Sequence, residues 1–270
     1  MNDLKTFWFH PQTPLGYHKA IQDFSSGIDD EKIIENFINK YLPQRQKIIV
    51  DLGIGTGREL PWLDNTFAIS EIIGIDYSSE MLKFCRIEAK KCKHEVKLIN
   101  DNLLKTTILP KLVKTYKEPF IFLSLMNTFG NFYKGERITV LKNLSSLLKK
   151  SDRIILALYK NSQRVKILRD LENSPYLQAK KPKDKAILAE LIEYGLLPFF
   201  WTSVMDKYHT LPRFWYDKIN NDVVIHIDGK RLLASHRFAK EEIENEFKVS
   251  GLRIDKIIEG KSMWIAVGKI

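Results

Sequence analysis

The apolar residues of this chain change their period repeatedly along the sequence, and each change predicts an element. "SGIDDEKIIENFINKYLP" places Ile33, Ile34, Phe37, Ile38, Tyr41 and Leu42 on one helical stripe, with Asp29 or Asp30 as N-cap and Pro43 as the stop. Short branched runs follow: Ile48 to Val50, "EIIGIDY" (71–77), "EVKLIND" (95–101), "PFIFLSLMN" (119–127) and "DRIILALY" (152–159). Such runs are the kind buried on both faces of a parallel sheet. Between them, Arg58 to Leu63 can begin a helix, and Ser79 to about Lys93 forms one with Met81, Leu82, Cys85 and Ala89 inward. "ERITVLKNLSSLLKKS" turns Ile138, Leu141, Leu144 and Leu148 inward and sets Lys149 and Lys150 against its C-terminal dipole.

Strands alternating with helices predict an α/β fold with a doubly wound, mostly parallel sheet whose ligand lies at the carboxyl ends of the strands. The alternation breaks at residue 160. Residues 160–235 hold a helix of their own ("KDKAILAELIEYGLL"), an aromatic stretch ("PFFWTSVMDKYHTLPRFWYDKI") and strands in "DVVIHIDGKRLLAS". This segment is too long for a loop and too apolar for a linker. Order resumes with "KEEIENEFKVSGL", a helix ending near Gly251, and with "RIDKIIEG" and "MWIAVGKI", two strands of a terminal hairpin. Five parallel strands and this hairpin make a seven-stranded sheet with one antiparallel member. The expected organisation is an N-terminal helical cap (1–46), a core (47–159 and 236–270) and a lid subdomain (160–235) inserted between strand five and the last helix.

Length and composition narrow the class. A chain of 270 residues can bury a full core, and its apolar (44%) and charged (28%) fractions are those of a globular protein. The first twenty residues hold scattered aromatics broken by His10, Pro11 and Pro14, with no continuous apolar segment, so neither a signal peptide nor a membrane span is expected. Cys85 and Cys92 are one heptad apart on a helix and cannot make a disulfide framework or a zinc site, so no metal is expected and a reducing cytoplasm is the natural compartment. The net charge of +10 admits RNA or DNA as a partner, with "KKPKDK" (180–185) the densest cluster, although a proline-interrupted lysine loop is more often a solvated surface.

The chemistry concentrates in "IIVDLGIGTGREL" (48–60), where glycines at 53, 55 and 57 sit in a strand-to-helix turn. Such a turn lets a ligand approach the backbone and the free N–H groups of a helix N-terminus. A P-loop would need a lysine and a hydroxyl residue after its last glycine, and a dinucleotide fingerprint would need its third glycine where Arg58 stands. The spacing G-x-G-x-G preceded by Asp51 resembles motif I of the class I S-adenosylmethionine (AdoMet) methyltransferases. The resemblance implies that Asp51, Gly53, Gly55 and Gly57 cradle the methionine portion of AdoMet. Asp76, about 20 residues beyond the turn at the end of strand two, stands where an acidic side chain accepts both ribose hydroxyls. The family likeness further assigns Asp101 to the adenine amino group and counts Tyr77 and Asn102 among the cofactor-binding residues, and Met81 could pad the adenine or ribose face. A Met at helical spacing is also a core residue, and Asp and Asn also favour turns unaided.

Strand four ends in "SLMNTFGNF", which lacks the [DNS]-P-P-[YF] motif of DNA-adenine and glutamine methyltransferases and the Pro-Cys pair of cytosine C5 enzymes. It is similar instead to small-molecule N-methyltransferases, the glycine enzymes with a related Asn-x-Phe run and the histidine Nα enzymes with a "GNF" ending. That likeness puts Asn127 and Thr128 beside the cofactor and Asn131 toward the substrate, with Ser235 in one of the amino-acid-gripping places and no acidic partner for it. Trp201, Trp215 and Tyr216, with Phe199, Phe200, Tyr208 and Phe214, could wall an acceptor pocket or simply fill the core of the lid. Tyr17, His18, His209, Tyr216 and His236 are the candidate bases, should the acceptor need one. The expectation is an AdoMet-dependent methyltransferase of a small molecule, releasing S-adenosylhomocysteine (AdoHcy). Its alternatives are an RNA-modifying methyltransferase and a non-catalytic AdoMet-binding protein, with a nicotinamide oxidoreductase disfavoured by the glycine spacing.

Overall fold

The computed structural model describes residues 32–37, 39, 47–66, 69–161, 213–217, 220–227, 230–260 and 263–270. A seven-stranded sheet runs in the order β3-β2-β1-β4-β5-β10-β9. Its strands are β1 (Lys47–Leu52), β2 (Ile69–Asp76), β3 (Val96–Asn100), β4 (Phe120–Ser124), β5 (Arg153–Tyr159), β9 (Arg253–Glu259) and β10 (Met263–Lys269). The first five are parallel, and β10 is antiparallel to both β5 and β9. The doubly wound sheet with one antiparallel insertion is the fold the strand pattern predicts, and the chain reverses its winding direction between β1 and β4.

The absence of alternation in the central strands has a direct cause, since both faces are covered. Ile48, Val50 and Leu52 of β1 join Phe120 and Phe122 of β4 in one apolar cluster, while Ile49, Ile121 and Leu123 belong to the cluster on the other face. The first cluster takes in Val140, Leu141, Leu144 and Leu148 from α4 (Lys134–Leu147) and its C-cap, with Ile243 and Phe247 from α5 (Lys240–Val249). The second takes in Ile34 and Phe37 from the helical residues 32–37, Leu60 and Leu63 from α1 (Leu60–Thr66), and Leu82 and Cys85 from α2 (Ser79–Ala89).

Element ends depart from the pattern where polar side chains intervene. Helix α2 stops at Ala89 rather than near Lys93, because the Asp64 carboxylate accepts from the backbone N–H groups of Lys93 and His94 and draws the chain out of the helix. Strand β4 ends at Ser124, not Asn127: Met126 and Asn127 take left-handed φ of 48° and 60° and turn the chain into a 3₁₀ turn at Thr128–Asn131. A helix the pattern did not signal, α3 (Leu109–Thr115), opens with Pro110 in its first turn. On α4 the inward position falls to Arg137, whereas Ile138 is only half-buried. Arg137 is 1% exposed, and its guanidinium donates to Glu246, to Glu242 and to the carbonyl of Phe132, binding α4 to α5.

Within the insertion, β6 (Arg213–Asp217), β7 (Asp222–Ile227) and β8 (Lys230–His236) form a separate antiparallel sheet. Strands β7 and β8 lie where the sequence predicts strands, and β6 is a strand within the aromatic stretch. Immediately beyond β8, Phe238 pairs with Lys160 just past β5, so the chain re-enters the core beside the point where it left. The helix expected at 183–197 lies outside the described residues, as does most of the expected cap at 1–46. Among the described residues no helix is long and apolar enough to cross a membrane.

Candidate active site

The carboxyl ends of β1, β2, β3 and β4 converge on the crevice where the winding direction reverses, the place where open α/β sheets bind ligands. The three glycines after β1 hold φ of 86°, 57° and 78°. Only glycine takes this region without strain, so the "G-x-G-x-G" spacing reflects backbone conformation as well as room for a ligand. The N–H groups of Gly53 and Ile54 both donate to the carbonyl of Ile75, fastening the turn to β2. A Cβ on Gly53 would strike the side chain of Thr128, and one on Gly57 would come 2.7 Å from Cys85 Sγ.

Asp76 closes the turn from the other side. Its carboxylate accepts from Gly55 N at 2.8 Å and from Ser78 N at 2.7 Å, and burial pushes it up to about 6 against the pull of those N–H donors. The backbone N–H of Tyr77 bonds to it as well, and its remaining acceptor capacity suits a ligand's hydroxyl. Asn100, at the end of β3, donates to the carbonyls of Asp76 and Tyr77 and fixes the loop that carries them. Tyr77 is exposed. Met81 is buried but belongs to neither apolar cluster.

Asp51 is 2% exposed, and its Oδ2 has no hydrogen-bond partner among the described residues. Burial raises its pKa well above the ordinary carboxylate range, and the nearby carboxylates of Glu59 and Asp76 raise it further. An orphaned buried carboxylate oxygen is costly unless a donor or a cation arrives. Ser124 Oγ, one residue past the β4 partner of Asp51, is likewise buried without a partner among the described residues.

The remaining predicted residues divide. Asp101 and Asn102 are half-buried at the end of β3, where Asp101 accepts from Asn102 N and Thr106 Oγ1 and Asn102 Oδ1 accepts from Leu104 N, so both shape the turn they sit on. Asn127 is 2% exposed, and its amide is committed within the protein: Oδ1 accepts from Tyr159 N, and Nδ2 donates to Ser235 Oγ and to the carbonyl of His236. Asn127 therefore presents no free amide to a cofactor. Asn131 is exposed on the turn that begins with Thr128. Trp215 and Tyr216 lie on β6, paired with Val224 and Val223. Tyr17, His18, Trp201 and His209 lie outside the described residues.

His236 is not free to act as a base. Its ring is buried with Nδ1 2.7 Å from Asp222 and Nε2 2.9 Å from Glu242. A ring held between two carboxylates donates from both nitrogens, which is the charged form. Burial opposes that charge, but the two hydrogen bonds prevail and raise its pKa. Sequence periodicity could not show this network, nor Arg137 or Asn100, because their partners lie on other elements. Among the described residues no cluster of three or more His, Cys, Asp and Glu side chains could hold a metal ion.

Residues 49–151, which include the glycine turn and Asp76, match the family described as "Methyltransferase domain". They form an AdoMet-dependent methyltransferase domain. The methyltransferase fold recurs in a solved S-adenosylmethionine-dependent methyltransferase from Clostridium acetobutylicum, 14% identical over 92% of this chain and 93% of that one, with a TM-score of 0.56. A SAM-dependent methyltransferase from Anabaena variabilis is 13% identical over 98% and 94%, also at 0.56. The magnesium protoporphyrin IX methyltransferase of Synechocystis, solved with bound AdoHcy, is 12% identical over 89% and 82%, at 0.52. At these identities the likeness is one of fold. No protein of curated function matches the chain.

The residues present fit AdoMet. The glycine turn gives an approach to bare backbone, Asp76 keeps acceptor positions suited to ribose hydroxyls, and the orphaned Asp51 oxygen suits a cationic ligand. Bound AdoMet supplies a methyl group on a sulfonium that is already a good leaving group. The methyltransferase is left to orient the acceptor and exclude water.

Proposed function

We propose that this methyltransferase acts on a small molecule, at nitrogen, with residues 160–235 as its substrate lid. The observation that carries this reading is the turn at Thr128–Asn131. Thr128 packs against Gly53 of the cofactor turn, and Asn131, three residues on, is exposed and has its side chain available to an acceptor. The "NTFGNF" sequence of that turn is similar to those of glycine and histidine Nα-methyltransferases. His236, beside the turn, has both ring nitrogens committed to carboxylates. An acceptor that brings its own lone pair, a neutral amine, needs no base, whereas a phenol or carbon acid does. A small-molecule acceptor is in keeping with the name of the Synechocystis enzyme, which shares the fold.

The test is transfer of labelled methyl from AdoMet to pooled small amines, to phenols and carboxylates, and to RNA. Label in the amine pool is the expected result. Label in RNA alone would replace this reading with an RNA-modifying enzyme using the lysine-rich surface. AdoMet binding with no label in any pool would favour a non-catalytic AdoMet-binding protein.

A further inference from the structure

We infer that Asn127 is a positioning residue that couples the cofactor turn to the inserted sheet, so that binding at Gly53–Gly57 sets how firmly strand β8 is seated. The inference rests on the cofactor lying against that turn. Every link is short. Gly53 has no room for a Cβ because Thr128 fills the space, so whatever moves the glycine turn moves Thr128. Thr128 is held by its neighbours in the loop, Oγ1 donating to the carbonyl of Leu125. The next residue back is Asn127, in a left-handed conformation that follows a second left-handed residue, Met126. Two consecutive non-glycine residues in this region are costly, on the order of 1 kcal/mol or more each, and persist only where the surroundings hold them.

The side chain of Asn127 supplies that hold. Its amide oxygen accepts from Tyr159 N, at the end of β5 where the chain leaves the core. Its amide nitrogen donates to Ser235 Oγ at 2.9 Å and to the carbonyl of His236 at 3.1 Å, at the end of β8 where the chain returns. One side chain thus spans both crossings between core and insertion. The two bonds to β8 are buried, so they have no ready replacement from water. The hydroxyl of Ser235 and the carbonyl of His236 therefore take their position from the loop that abuts the cofactor turn.

Asn127→Asp separates this role from mere packing. It keeps an oxygen for Tyr159 N and tolerates the left-handed conformation, but it replaces the donor to the His236 carbonyl with a second acceptor. Ser235→Ala removes one of the two bonds to β8 and leaves the loop intact. Hydrogen exchange is followed at 53–57 and at 230–236, with and without AdoHcy. In the wild type AdoHcy slows exchange in both segments, by about tenfold at 230–236 if the coupling is of ordinary size. In Asn127→Asp the slowing at 53–57 persists and that at 230–236 disappears, and Ser235→Ala lies between. A residue with only a structural role would speed exchange at 230–236 equally with and without ligand. Slowing at 53–57 but not at 230–236 in the wild type overturns the coupling, as does an undiminished ligand effect in both variants. Slowing in neither segment of the wild type overturns the placement of the cofactor and the coupling together.

Discussion

Asp76 is pulled in two directions, and pH separates them. Burial raises its pKa from the ordinary 3.8 to about 6 in the free protein, so the folded chain holds this proton more tightly than the unfolded chain does. By linkage, raising the pH from about 4 to 6 costs the folded state stability at this residue. Ribose hydroxyls donate to the ionised form, so AdoHcy affinity should be full above about pH 6 and fall about tenfold per unit below it, with protons released on binding there. Calorimetry in buffers of differing ionisation enthalpy measures both. Asp76→Asn should bind AdoHcy about 10- to 100-fold more weakly, as expected for loss of hydrogen bonds to a charged group. Gly53 gives a second test. Gly53→Ala combines a φ of 86° with a collision against Thr128, and each contributes about 1–3 kcal/mol of destabilisation. Thr128→Ser removes the methyl that Cβ would strike, so the double variant should recover the steric part and leave the dihedral part. Chemical denaturation of the four proteins distinguishes the two.

Helices α4 and α5 and strands β7 and β8 meet in a largely buried chain of charges in which Asp222 faces His236, His236 faces Glu242, and Glu242 and Glu246 share Arg137. Burial raises the pKa of Glu246 in spite of Arg137, while the His236 ring holds Glu242 below its usual range against burial. Arg137→Ala leaves two carboxylates without their guanidinium and should cost about 3–5 kcal/mol, read as a lower urea midpoint. Arg137→Lys keeps the charge and loses the fork, so its midpoint should fall between. His236 has a raised folded pKa, so its contribution is complete below its ordinary value of 6.5 and is lost as pH rises through the folded value. Wild-type stability should therefore decline with pH above that range, and His236→Gln should remove this part of the slope. These ties were not legible in the sequence. Arg137 and Glu246 are 109 residues apart, and the hydrophobic period on α4 pointed inward through Ile138 instead. Helix α3 escaped notice because seven residues carry too few turns to show a period.

At the scale of the whole molecule, the seven strands were legible, the central ones because they are buried on both faces and the half-exposed edge strands β3 and β9 because they fall in the strand-helix alternation and the terminal hairpin. The cofactor residues were legible for a related reason. Asp51, the glycines and Asp76 all belong to one strand-turn-helix-strand unit, so their geometry is encoded within a short span. The junction with the insertion was not legible, because Asn127 and Ser235 meet across 108 residues and "MNTF" carries no sign that two residues will turn left-handed. A cofactor gripped by elements this central should stabilise the fold as a unit. Strands β1, β2 and β4 lie inside the sheet, and a ligand held at their ends binds the folded chain and not the unfolded one. AdoHcy at about 100 times its dissociation constant should add about 2.7 kcal/mol to folding. For a chain of this size that raises the melting temperature by about 5–10 °C. NAD at the same concentration should leave the melting temperature unchanged, because Arg58 stands where a dinucleotide turn needs its third glycine. A shift with NAD and none with AdoHcy would mean that the glycine turn serves a different ligand, and a shift with neither that the turn is architecture alone.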